Sequence, residues 1–494
     1  MKQKILVVLL FTVWFSVISR AATKPQQLDE LFHYLAKHKL FNGAVLVVDG
    51  GKTLFERAVG FANMEWRIPN TTDTRFDIGS VTKQFTAVLI LQLAAEKKVV
   101  LHEVIGKYLP QIPEPFASRI TLHQLLTHTS GLPSHPSNQS DYMKVGMRIP
   151  YTFDERLEQL RDVPLDFEPG TSWAYNGFGY TILGHIAARV TQKSLEANFR
   201  ERIFSPLGMN QSGVLLDSRL VKRKAYRYQK VCNDAYIPAV YFSQSEAKLG
   251  GGGLYSTLGD LRKWHRALQG DDLLPPQQKM MFYKSYYRFP DGDGYCYGYY
   301  STTYRVNDTR GVEVFFHGGS LPGASALLMR VPENDQCIVL FHNAGMGHEV
   351  FLQSLAGEIL NILYTGKFHF PRMGIVFEVV YTAMFNDMQA VKNHYFHLKQ
   401  NHSDAYAFAP EQLNMLAGFL LQFGAKKNVP GVFKLNITEY PDDPAAYYGL
   451  GGYYWDMEKD AARARTYLKM ALTRSRGDLK AEIAKKLAQV EAAQ

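Results

Sequence analysis

The chain has 494 residues, a formal charge of +9, 46% hydrophobic residues and 20% charged residues. That length exceeds one ordinary core and points to two or three domains, and the composition is globular rather than disordered. The basic residues are scattered, with no block of five or more Lys/Arg, so no nucleic-acid partner is expected.

Residues 1–22 begin with Lys2 and Lys4, continue through an apolar run from Ile5 to Ile18, and end in Ser19-Arg20-Ala21-Ala22. A charged start, a short apolar run and a small-residue site predict a signal peptide cut after Ala21 or Ala22. The run is shorter than the roughly 20 residues that span a bilayer. No Cys lies near the cut, which argues against a lipid anchor, and no later stretch is long and apolar enough to cross. The expectation is a secreted or periplasmic protein with no membrane span after signal removal. Cys232, Cys296 and Cys337 are odd in number and widely spaced. One bridge and three thiols both fit, and nothing resembles a zinc-thiolate site.

Residues 25–365 read as one mixed α/β unit. Phe41–Asp49 and Thr53–Val59 are strand candidates around a Gly50-Gly51 turn. Ser80–Lys98 predicts a long apolar helix with lysines in its last turn. Gly311–His342 holds three more strand candidates. Strands at both ends and helices between them suggest one antiparallel sheet with flanking helices, an α+β arrangement. Residues 375–494 read as an all-α region. Leu416 and Leu450, Ala417 and Gly451, Leu420 and Tyr454, and Phe433 and Tyr467 recur 34 residues apart. That period is tetratricopeptide-like, and a protein partner for such repeats is an open expectation. A plain helical bundle is the alternative.

Three short elements bear chemistry. In Ser80-Val81-Thr82-Lys83 a helix would bring the hydroxyl and the ammonium together, and burial would lower the Lys83 pKa. Pro169–Gly177 forms a turn leading to Tyr175, whose phenol beside a cation would acidify and serve as a base. His317-Gly318-Gly319-Ser320 follows an apolar strand, where glycines admit a substrate and a strand N–H can face an oxyanion. A second Ser-x-x-Lys, Ser245 to Lys248, falls in a polar loop. His123 and His128 are not at helical ligand spacing and read as structural. Cys296, in the aromatic stretch Phe282–Tyr304, reads as packing. That stretch is either cleft lining or core.

In this order, Ser80-x-x-Lys83, Tyr175 and His317-x-Gly319 resemble the three motifs of class C β-lactamases, DD-peptidases and their esterase and aminopeptidase relatives. Phe76–Ser80, Thr121–Leu132 and Gly252–Thr257 are similar to flanking stretches of that family. The resemblance implies a β-lactamase/transpeptidase-like fold and an acyl-enzyme on Ser80. It implies that Lys83 and Tyr175 manage the proton and that the Ser80 and Ser320 N–H groups form the oxyanion hole. No metal and no cofactor are implied. The substrate would be a small ester, amide or peptide. Gly177 stands where the family usually has Asn, which leaves Asn176 as the candidate amide for substrate binding. His317 stands where β-lactamases usually have Lys and, charged only in part, would hold a carboxylate weakly. These departures favour an esterase or peptidase. A true β-lactamase or DD-peptidase is one alternative, and a catalytically weak scaffold protein is another.

Overall fold

The computed structural model describes residues 22–133, 148–231, 235–245, 248–345, 348–422 and 424–492. Residues 1–21, which carry nearly all of the expected signal peptide, and Cys232 lie outside them.

One eight-stranded antiparallel sheet organises the first two thirds of the chain. Its order is Tyr287–Arg288, Gly294–Tyr295, Tyr300–Arg305, Gly311–Leu321, Ala324–Val331, Gln336–His342, Gly43–Asp49, Lys52–Val59. The N-terminal hairpin is zipped onto the last strand through pairs such as Val45↔Leu340 and Val47↔Ile338. The sheet is therefore built from both ends of the unit, as the strand candidates predict.

Both faces of the sheet are covered, which explains why its central strands are buried without interruption and mostly apolar. Along Gly43–Asp49, Ala44, Leu46 and Val48 join a core that contains helices Thr82–Ala95 and Gly177–Thr191. The alternate residues Val45 and Val47 join a second core. That core holds helix Lys24–Lys37 through Leu28, Leu31, Phe32 and Leu35, spaced as one helical face, and helix Glu349–Thr365. No helix among the described residues is long and apolar enough to cross a membrane.

Helix Thr82–Ala95 ends earlier than its sequence suggests. Lys97 takes a left-handed conformation (φ 58°), and the Lys97 and Lys98 N–H groups bond back to Ala94 and Leu93. This Schellman-type closure places both lysines beyond the helix rather than in its last turn.

The C-terminal region is all-α. Helices Pro410–Gln422 and Pro444–Asp456 start 34 residues apart and place Leu416 and Leu450 at equivalent buried positions. Each packs on the helix that follows it. The region is not detached from the sheet, because its apolar residues continue the second core. A polar clasp reinforces the junction. Buried Lys230, on strand Tyr228–Val231, donates to the Tyr406 hydroxyl at 2.7 Å, and Tyr406 donates to Glu378 at 2.9 Å. Lys230 and Glu378 are 3.9 Å apart. Removing one member of a buried ion pair leaves the other charge without compensation. Glu378→Ala is expected to cost about 3 kcal/mol in chemical denaturation.

Candidate active site

The site forms where three segments converge. The short strand Phe76–Asp77 pairs with Leu254–Ser256, which brings the Gly250–Gly253 loop over the start of helix Thr82–Ala95. Ser80 sits in a 3₁₀ turn, Gly79–Val81, that runs directly into helix Thr82–Ala95. The sheet strand Gly311–Leu321 lies against this turn. A methyl group on Gly319 would fall 2.0 Å from the Ile78 carbonyl oxygen and 3.1 Å from the Ser80 nitrogen. One on Gly79 (φ 50°) would meet the Ser320 nitrogen at 2.9 Å. Only glycines allow this approach, which brings the backbone nitrogens of Ser80 and Ser320 to the same place.

Lys83 is 1% exposed. Its Nζ donates to Ser80 Oγ at 3.0 Å and to the Gly251 carbonyl at 2.6 Å. It lies 4.8 Å from the Tyr175 ring centroid. Burial lowers its pKa to about 7, so a neutral amine is accessible near neutral pH. Tyr175 hydrogen-bonds Ser80, but burial raises its pKa. The expectation of an acidified phenol is therefore corrected: desolvation outweighs the Ser80 hydrogen bond, and Tyr175 stays protonated.

Tyr175 is held from below by His128. Ala174 N–H donates to the His128 carbonyl at 3.0 Å, Asn176 N–H donates to His128 Nδ1 at 3.1 Å, and the His128 and Tyr175 rings lie 4.5 Å apart. With Nδ1 an acceptor, His128 Nε2–H donates to the Tyr295 hydroxyl (2.9 Å), which faces His317 Nε2 at 3.5 Å. His317 Nδ1–H then donates to the Gly318 carbonyl at 2.6 Å. The Thr121–Leu132 stretch thus supplies the support of Tyr175, a structural role. His123 pairs with the Tyr297 hydroxyl at 2.8 Å.

Two further expectations are corrected. Asn176 does not face the cleft. It is buried as the N-cap of helix Gly177–Thr191, accepting from Gly179 N–H and donating to the Leu132 carbonyl. A side chain committed to a cap cannot also serve a substrate. His317 is not partly charged at neutral pH, because burial, then Lys83, pushes its pKa down to about 3. It offers no positive charge to a carboxylate. Gly177 lines the smaller cavity, Gly319 lies under Ser80, and Ser320 borders the cavities on both sides of Ser80.

Two cavities meet at Ser80 and Tyr175. The smaller, about 300 Å³, is lined by Tyr151, Arg156, Phe178, Phe242, Lys248 and the Gly251–Gly253 loop. The larger, about 650 Å³, is lined by Trp173, Phe289, Tyr300, His317, Asp291, Asp293 and Glu349. Sequence reasoning missed most of these walls, which come from loops and helix starts without a motif. The second Ser-x-x-Lys is not a nucleophile pair. Ser245 donates to the Tyr151 carbonyl and Lys248 to the Ser243 carbonyl, and Lys248 enters the site only as a wall. The aromatic stretch divides: Tyr295, Tyr297 and Tyr299 are core, whereas Phe289 and Tyr300 line the larger cavity. Cys296 and Cys337 are buried free thiols pushed up to about 12 by burial, which makes both poor nucleophiles.

The comparisons with known proteins agree with this geometry. Residues 28–354 match the Beta-lactamase family, and the chain belongs to that family of serine hydrolases. It is 27% identical over 363 residues to penicillin-binding protein 4* of Bacillus subtilis, covering 70% of this chain and 78% of that protein. It is 33% identical over 205 residues to esterase EstB of Burkholderia gladioli, covering 39% of this chain and 52% of the esterase. Among solved structures, a penicillin binding protein from Bacillus halodurans superimposes with a TM-score of 0.58 at 26% identity, over 66% of this chain and 98% of that one.

Proposed function

We propose that the protein is an exported hydrolase that cleaves small esters or amides through an acyl-enzyme on Ser80. The observation that carries this reading is the 3.0 Å contact between Ser80 Oγ and a fully buried lysine whose pKa is lowered to about 7. Neutral Lys83 accepts the Ser80 proton as Oγ attacks the substrate carbonyl. The tetrahedral oxyanion is met by the Ser80 and Ser320 N–H groups. Protonated Tyr175 hydrogen-bonds Ser80, and with Lys83 it relays the proton to the leaving group. Water then releases the acyl group by the reverse sequence. The names of relatives, an esterase and a penicillin-binding protein, support acyl transfer at this site.

A neutral His317 and the absence of a side-chain amide at Gly177 argue for an esterase or peptidase over a β-lactamase. On a p-nitrophenyl butyrate and a chromogenic cephalosporin compared side by side, fast ester turnover and cephalosporin turnover near the buffer rate are expected. Rapid cephalosporin hydrolysis would overturn this preference. A second reading, a peptidase for carboxylate-bearing cell-wall peptides, draws on Arg156 and Lys248 in the smaller cavity. Export rests on the composition of residues 1–22. We also propose the division at about residues 25–365 and 375–494, with tetratricopeptide-like packing in the second part, on the strength of the 34-residue spacing of Pro410 and Pro444.

A further inference from the structure

The larger cavity has a chemical character that the hydrolase reading leaves unused. Three aromatic residues pack into one cluster on its wall: Trp173 and Phe289 have centroids 4.8 Å apart, Trp173 and Tyr300 6.3 Å, and Phe289 and Tyr300 6.2 Å. Asp291 and Asp293, on the turn between strands Tyr287–Arg288 and Gly294–Tyr295, add carboxylates to its wall. Glu349 lines it from the far side. Its Cβ and Cγ pack over Gly318, which a Cβ at that glycine would meet at 3.3 and 3.7 Å. Its Oε2 is buried and has no hydrogen-bond partner among the described residues. Glu349 opens the helix Glu349–Thr365, where the helix dipole favours its anionic form. Burial raises its pKa on balance, opposed by hydrogen bonds from its own backbone N–H and from Ser320 that favour the anion, so a cation in the cavity would supply the charge that this carboxylate lacks. Among the described residues no Lys or Arg lines this cavity, and His317 is neutral.

Aromatic faces with carboxylates, and an unmatched buried carboxylate oxygen among them, suit one ligand chemistry, a substituted ammonium. We propose that this cavity is a cation subsite and that Glu349 is its counter-charge, selecting ester or amide substrates that carry an ammonium group near the scissile carbonyl. The proposal rests on the acyl-enzyme reading and names the substrate class for it.

The test uses two matched pairs. Acetylthiocholine is compared with its neutral carbon isostere, 3,3-dimethylbutyl thioacetate, to place the cation in the leaving group. D- and L-alanine p-nitroanilide are compared with propionic p-nitroanilide to place it in the acyl group. In at least one pair the cationic member is expected to have a kcat/KM about tenfold higher. Glu349→Gln is expected to cut that ratio about fivefold, mainly through KM, and Asp291→Asn with Asp293→Asn about twofold. Because the ratio is read within each variant, a general loss of rate from the disturbed Ser320 contact cancels. Tetramethylammonium, against sodium at equal ionic strength, should inhibit wild-type neutral-ester turnover competitively, which tests the subsite without any variant. Ratios near one in both pairs, a ratio untouched by Glu349→Gln, or no inhibition by tetramethylammonium would each overturn the subsite. Ester turnover that persists in Ser80→Ala would instead overturn the underlying hydrolase reading.

Discussion

Replacing Ser80 with Ala is expected to lower kcat/KM on p-nitrophenyl esters by about 10⁴-fold or more, with little change in fold. The magnitude follows from what the hydroxyl does. The other nucleophile candidates in the sequence are badly placed: Cys296 and Cys337 are buried in packed core with raised pKa values, and Ser245 bonds the Tyr151 carbonyl. Residual catalysis would come only from the oxyanion donors and binding, which in comparable sites leave a small fraction of the rate. The structural cost is low because Ser80 is half-buried and its small side chain hydrogen-bonds Lys83 and Tyr175 at the edge of the cavities rather than filling the core. The check is paired: ester kinetics on wild type and variant, and fluorophosphonate labelling followed by mass spectrometry. A mass increase on wild type and none on Ser80→Ala is the expected result. Equal labelling of both would remove Ser80 from the mechanism.

The second large effect belongs to Lys83 and has opposite signs for rate and stability. For the rate, the amine must be neutral to accept the Ser80 proton. With a pKa of about 7, kcat/KM on a neutral ester is expected to rise about tenfold per pH unit up to that value and to level off above it. Lys83→Arg, which cannot be deprotonated, should lose about 10³-fold or more in rate at every pH from 6 to 9. For stability, the folded-state pKa lies below the unfolded value of 10.5, so between these values the unfolded chain binds more protons. The buried amine therefore destabilises the fold fully below about pH 7, and this cost fades as pH rises toward 10.5. Lys83→Met removes the cost. Against it stand the lost bonds to Ser80 and to the Gly251 carbonyl, about 1–3 kcal/mol. A net gain of about 1–3 kcal/mol at pH 6–7, shrinking toward pH 10, is expected in denaturant unfolding. An inactive but more stable variant is the signature of a residue kept for chemistry rather than for packing. A Lys83→Met variant less stable than wild type at pH 6 would contradict the burial argument.

How far the sequence alone reaches differs by element. Its strand candidates at the two ends of the catalytic unit and the apolar helix after Ser80 are local patterns, short apolar runs bounded by turn residues and one longer apolar run, and the sheet and helix follow them. The Ser80–Lys83 pair is equally local, since a helical turn alone sets a three-residue contact. The 34-residue spacing in the C-terminal region is local in the same sense, and two helix starts, Pro410 and Pro444, fall at that spacing.

What only the tertiary structure decided is every property that depends on solvent and on distant partners. Asn176 and His317 have the side chains of binding residues, yet one is spent on a helix cap and the other is held neutral by burial. Tyr175 sits beside a lysine, yet desolvation moves its pKa up instead of down. Glu349 belongs to no motif, and its place in the larger cavity arises because a helix start 29 residues beyond Ser320 packs back over Gly318. The sequence by itself determined which residues could meet within a turn or a strand. Burial, which no local pattern encodes, decided which of them are charged, which are spent on structure, and which face the substrate.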